Sequence, residues 1–140
     1  MVGIADGAFA GTSVKYVGIG RTVKTIGDNA FAGCELLDNV TLPIALEKIG
    51  KSAFAGCSSL KNITFMKNVA EIGDSAFSGC TSLESLSLPE SLETLGKDVF
   101  YGCTALKLIE FSGTVAQWEN ISVNLGENNS GYTVTFVVTE

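Results

Sequence analysis

The phrase Ile-Gly-x-x-Ala-Phe-x-Gly-Cys returns along this chain at one fixed spacing, and that spacing restricts the fold more than anything else in the sequence. It occupies Ile26–Cys34, Ile49–Cys57 and Ile72–Cys80, and a looser copy at Leu95–Cys103 has Leu for Ile and Val for Ala. Phe31, Phe54, Phe77 and Phe100 lie 23 residues apart, as do Cys34, Cys57, Cys80 and Cys103. A worn copy from Ile4 to Thr12 opens the array, its Phe9 lying 22 residues before Phe31. Self-similarity at this period marks a solenoid, in which each repeat forms one coil and touches mainly its neighbours. The period says much about shape and little about chemistry.

Within one unit, two apolar triplets alternate. The first, Leu-x-x-Ile-x-Leu/Phe, recurs as Leu37/Val40/Leu42, Leu60/Ile63/Phe65, Leu83/Leu86/Leu88 and Leu106/Ile109/Phe111. Branched and large apolar side chains suit a short, half-buried strand. Pro43 and Pro89 follow two of these strands directly, where a residue without an amide donor is tolerated. The second triplet returns along the opposite wall and turns at Gly27, Gly50, Gly73 and Gly96. Glycine there permits either an unusual backbone or a close approach between coils. The Ala-Phe-x-Gly-Cys segment is too short for a stable helix and reads as one helical or 3₁₀ turn. The expected architecture is therefore a right-handed, mainly β solenoid of about five coils with parallel sheets. It occupies residues 1–111, and residues 112–140 form a C-terminal cap of the same domain.

At this point the residues carry a resemblance. The pattern Cys-x-x-Leu-x-x-Ile-x-Leu/Phe-Pro-x-x-Leu-x-x-Ile-Gly-x-x-Ala-Phe-x-Gly, from Ile26 to Phe111, resembles the leucine-rich repeats of BspA-like bacterial surface proteins. The tail, Phe111 to Trp118 and then Tyr132 to Val137, is similar to what often ends such arrays. Trp118 and Tyr132 offer large apolar area for covering the last open coil. The resemblance implies a secreted or cell-surface location and a role in adhesion to host matrix or other cells, through a protein or glycan partner.

Side chains flanking the central apolar residue of each strand point outward and stack into ladders across the coils. The candidate binding face is Tyr16, Asn39, Thr41, Asn62, Thr64, Ser85, Ser87, Leu108 and Glu110. A neighbouring column, Lys15, Asp38, Lys61, Glu84 and Lys107, alternates in sign, so cross-coil charge pairs are expected along it. The same surface also reads as the solvated side of an ordinary parallel sheet, since anchoring aromatics and arginines are nearly absent.

The four cysteines hold one equivalent place per coil, with Thr12 filling it in the first coil. Stacking sets their Cα atoms about 5 Å apart. Buried free thiols are expected in preference to disulfides or a metal site, because parallel side-chain vectors bridge poorly and no Cys-x-x-Cys is present. The sequence contains no histidine, which removes the commonest general base and zinc ligand. No enzyme activity, cofactor or metal is expected. Gly18-Ile19-Gly20 lacks the lysine of a phosphate loop and reads as a turn.

A net charge of −6 without any basic run argues against nucleic acid. No apolar stretch approaches the roughly 18 residues that a membrane span requires, so no membrane insertion is expected, and the chain is read as a monomer. The opening Met1–Asp6 lacks the features of an export signal and starts partway through a repeat, as a fragment or processed form would, or a short protein whose first coil is degenerate. The sequons at Asn39, Asn62, Asn120 and Asn128 matter only in a eukaryotic secretory route. Two readings of function stand: an interaction module presenting its sheet, and an architectural spacer in a larger exported protein.

Overall fold

The computed structural model describes residues 2–125 and 132–137. The sequon at Asn128 and the last residues of the cap, 138–140, lie outside the described residues. Short strands alternate with turns along the chain: β1 (Gly3–Ile4), β2 (Tyr16–Gly18), β3 (Thr25–Ile26), β4 (Asn39–Thr41), β5 (Lys48–Ile49) and β6 (Asn62–Thr64). They continue as β7 (Glu71–Ile72), β8 (Ser85–Leu88), β9 (Thr94–Leu95) and β10 (Leu108–Phe111). A short helix, α1 (Val115–Ile121), a 3₁₀ turn (Ser122–Asn124) and β11 (Thr133–Phe136) complete the described chain.

Two walls result, and every strand pairing in them is parallel. The back wall is one sheet in the order β1-β3-β5-β7-β9, with Ile26, Ile49, Ile72 and Leu95 in register. The front wall is built from the Leu-x-x-Ile-x-Leu/Phe triplets and comes in two lengths, β2-β4 and β6-β8-β10-β11. No strand pairing joins β4 to β6. Two side-chain hydrogen bonds bracket that gap: Ser59 Oγ donates to the Glu35 carbonyl (2.6 Å) and Asn68 Nδ2 to the Ile44 carbonyl (2.8 Å). Six front-wall strands stack where about five coils were expected, because β11 adds a further turn beside β10.

The core is the space between the walls. Leu60, Ile63 and Phe65 are at most 5% exposed, as the triplet pattern requires. Phe31, Phe54 and Phe77 form a buried column with ring centroids 5.2 and 5.3 Å apart and nearly parallel planes. Phe100 continues it at 6.5 Å, and Phe9 stacks on Phe31 at 5.3 Å while staying half exposed. A period of 23 residues thus becomes a stack because each coil places its phenylalanine directly over the last.

The Ala-Phe-x-Gly-Cys segment corrects the expectation of a helical or 3₁₀ turn. Its amides alternate between two kinds of partner. Ala30, Ala32 and Cys34 donate three residues back within their own coil, whereas Phe31 and Gly33 donate to Ala53 and Ala55 of the next coil. The segment is a run of linked turns laid against its neighbour, with two of its five amides bonded between coils. Gly33, Gly56, Gly79 and Gly102 reverse the chain at φ between 73° and 78°, a conformation that disfavours other residues.

The only α-helix among the described residues is α1 in the C-terminal segment. Thr114 and Gln117 form a reciprocal capping box: Gln117 N–H donates to Thr114 Oγ1 (3.1 Å) and Thr114 N–H to Gln117 Oε1 (2.7 Å). Its Trp118 lies 5.6 Å from Phe111, and Tyr132 meets Phe100 edge-on at 6.5 Å, so both aromatics cover the last coil. No helix among the described residues is long and apolar enough to cross a membrane.

Candidate functional site

The expected ladders form, with the register the repeat dictates. Asn62, Ser85, Leu108 and Thr133 stand side by side, as do Thr64, Ser87, Glu110 and Thr135. Tyr16 pairs with Asn39, and Thr41 sits opposite Gly18. Tyr16, Asn39, Thr41, Asn62, Thr64 and Glu110 are exposed, and Ser85, Ser87 and Leu108 are half-buried. The nine residues therefore share one face. The front-wall gap nevertheless divides them into a Tyr16/Asn39/Thr41 patch and a larger patch from Asn62 onward. The Tyr16 hydroxyl lies 3.4 Å from Thr41 Oγ1.

A cleft of about 230 Å³ follows the gap, lined by Asn39, Thr41, Asn62, Thr64, Leu42 and Met66. A second, larger groove of about 320 Å³ opens where the front strands end. Its walls are Ile44, Phe65, Met66, Leu88 and Pro89, with Lys67, Ser87, Glu90 and Ser112 at its border. Ile44 and Met66 are 49% and 39% exposed, unusual for large apolar side chains in a chain that buries most others. Ile44 and Met66 escape the sequence pattern because they follow the strands and belong to neither apolar triplet. The available signal was an isoleucine and a methionine in loop positions one coil apart.

The charge column does not behave as expected. Lys15, Asp38, Lys61, Glu84 and Lys107 make no ion pair within 4.0 Å among the described residues. The pairs that do form, Lys48–Glu71 at 3.2 Å and Lys24–Glu47 at 4.0 Å, lie on the back wall. Long exposed side chains gain little from such pairing, so solvation competes effectively.

The cysteines are free and buried. Each thiol donates to a phenylalanine carbonyl one coil earlier: Cys34 to Phe9 (3.0 Å), Cys57 to Phe31 (3.2 Å), Cys80 to Phe54 (3.2 Å) and Cys103 to Phe77 (3.1 Å). Thr12 lies on the same line, with Oγ1 3.5 Å from Cys34 Sγ. Burial pushes Cys57 and Cys103 from an ordinary 9.0 up to about 12, and it raises Cys80 as well. A thiol kept protonated is a poor nucleophile.

Two expected results follow. All four cysteines should resist a thiol reagent at pH 8 in the folded protein and react after denaturation. Fewer than four released thiols under anaerobic conditions would restore the disulfide reading. Stability should also decline above about pH 9, since the unfolded chain releases the Cys57 and Cys103 protons there and the folded chain holds them to about 12. Denaturant titrations between pH 8 and pH 10.5 measure that slope, and substituting Cys57 and Cys103 by alanine should reduce it.

Among the described residues, no group of three or more His, Cys, Asp or Glu side chains is gathered to hold a metal. The geometry offers an exposed strand face, a polar cleft and an apolar groove, all on one side of a stacked array.

Comparison with known proteins agrees with the architecture. Residues 2–124 match the BspA type leucine rich repeat region, in six copies. No curated protein matches the sequence. Among solved structures, the leucine rich repeat protein of T. pallidum is 35% identical with a TM-score of 0.77, over 78% of this chain and 51% of that one. A leucine rich cell surface protein of Faecalibacterium prausnitzii is 35% identical with a TM-score of 0.81, over 89% of this chain and 33% of its own. The pneumococcal vaccine antigen PcpA is 26% identical with a TM-score of 0.80, over 98% of this chain and 34% of that one. The chain therefore spans from about a third to about half of the length of these proteins. Since the match runs over most of the chain and takes in every strand from β1 to β10, the chain belongs to the BspA-type leucine-rich repeat family.

Proposed function

We propose that this chain is a non-catalytic protein- or glycan-binding module of a bacterial surface or secreted protein, acting in adhesion to host or other cells. The carrying observation is the front face itself. Its Asn, Thr and Ser ladders are held in register by the core behind them and expose hydrogen-bonding groups at regular intervals. Rigid backing lowers the ordering cost of binding, so even modest contacts can add up across coils. The name of the Faecalibacterium protein, a leucine rich cell surface protein, supports a surface location. The same reading takes residues 1–111 as the solenoid, 112–140 as its cap, and the chain as a monomer.

A spacer is the competing reading, favoured by one observation: Tyr16 is the only aromatic on the nine-residue face. Interfaces usually draw their energy from buried aromatic and arginine anchors.

The double variant Asn62→Glu/Thr64→Glu tests the face. Both side chains are exposed, so the melting temperature should stay close to that of the parent. Binding to immobilised matrix proteins and glycans, followed by biolayer interferometry, should weaken at least about tenfold through added like charge and bulk. Unchanged binding by a folded double variant would remove this face. No binding by the parent chain would favour the spacer.

A further inference from the structure

We infer that the groove at the front-strand exits is the anchor site for an extended peptide, one that inserts a bulky apolar side chain and donates a backbone N–H to the carbonyl of Phe65. This deepens the adhesive reading and rests on it.

One carbonyl of the parallel front ladder lacks its partner. Phe65 N–H donates to the Ser87 carbonyl at 3.3 Å. The return bond to the Phe65 carbonyl would come from residue 89, which is proline and has no donor. In the following coils that bond is made. Ser112 N–H reaches the Leu88 carbonyl at 3.0 Å and Val137 N–H reaches the Phe111 carbonyl at 2.9 Å. The Phe65 carbonyl is left without a backbone donor among the described residues, and Phe65 lines the groove.

Size and chemistry point the same way. A groove of about 320 Å³ accommodates one large side chain and its flanking backbone. It crosses the exits of four successive coils, from Ile44 to Ser112. Three inter-strand steps measure roughly 14 Å, the span of about four extended residues. Ile44, Phe65, Met66, Leu88 and Pro89 give it an apolar floor that suits Leu, Phe or Trp. Lys67 and Glu90 both line the groove and balance in charge, so its apolar side chains select the anchor.

The test uses the intact chain to select from a phage-displayed library of random 12-residue peptides. Selected peptides should share a bulky apolar residue at one fixed position. Ile44→Ser/Met66→Gln replaces two exposed side chains by polar ones of moderate size and should weaken those peptides more than about tenfold, with melting unchanged. Pro89→Ser supplies the missing donor, as Ser112 does one coil later, and should weaken them about three- to tenfold by occupying the carbonyl. Failure to select any peptide, or equal binding by the folded Ile44→Ser/Met66→Gln variant, overturns the inference. Glycan binding that survives the groove variants but not Asn62→Glu/Thr64→Glu would overturn the peptide site and leave the adhesive face standing. Peptide binding lost only in the groove variants would support the site and displace the ladders.

Discussion

Replacing Phe54 by alanine is expected to destabilise the protein by about 3–5 kcal/mol. Its ring is fully buried and lies between Phe31 and Phe77, with centroid separations of 5.2 and 5.3 Å. Deleting it removes contacts in both directions along the column, and the coils cannot close over the space because their backbones are hydrogen-bonded at fixed spacing. Phe54 N–H itself donates to the Ala76 carbonyl at 2.8 Å, which holds that part of the coil in place whatever the side chain. Urea denaturation of the variant measures the effect. A loss under about 1 kcal/mol would mean that the column does not carry the stability assigned to it. Phe9→Ala, at the half-exposed end of the same column, should cost markedly less.

A single methyl group at Gly73 is expected to be comparably damaging, about 3 kcal/mol or more. A Cβ built there lies 2.7 Å from the amide nitrogen of Lys51 and 2.8 Å from the carbonyl carbon of Gly50. Both are backbone atoms of the preceding coil, so no side chain can move aside. Gly79 is the instructive contrast. It needs a positive φ of 76°, but the space around its missing Cβ is open to 3.6 Å. Gly79→Ala should therefore carry only the left-handed backbone cost, about 1–2 kcal/mol. Melting curves of the two variants decide between them. If Gly79→Ala proved the more damaging, close coil packing at Gly73 would be the wrong explanation.

That contrast shows what the sequence could and could not say. Recurrence of Gly27, Gly50, Gly73 and Gly96 marked a constrained position but left two physical causes open. The structure decides for close approach, because the constraint comes from the preceding coil rather than from local backbone angles. The phenylalanine and cysteine columns were legible for the opposite reason. One residue type at one period needs only stacking to become a column.

Features that occur once, or that depend on the adjoining coil, were hidden. Helix α1 has seven residues and no repeat to advertise it; Thr114-x-x-Gln117 was its one readable sign. The turn segment was misread because two of its five amides bond between coils, which no single repeat reveals. The candidate face was legible as an alternation of inward and outward side chains. The apolar groove was not, since it is assembled from the ends of successive strands and from what a proline withholds.

The two walls also differ in a mechanical sense. Back-wall pairing runs without interruption from β1 to β9, whereas the front wall is slit between β4 and β6. A rod joined along one side and slit on the other is softest in the bend that opens the slit. Ser59 and Asn68, bonded across either end of it, act as stays that limit the amplitude. Met66 borders both the cleft along the slit and the groove beside it. Met66 is thus the residue through which any opening of the slit reaches the groove.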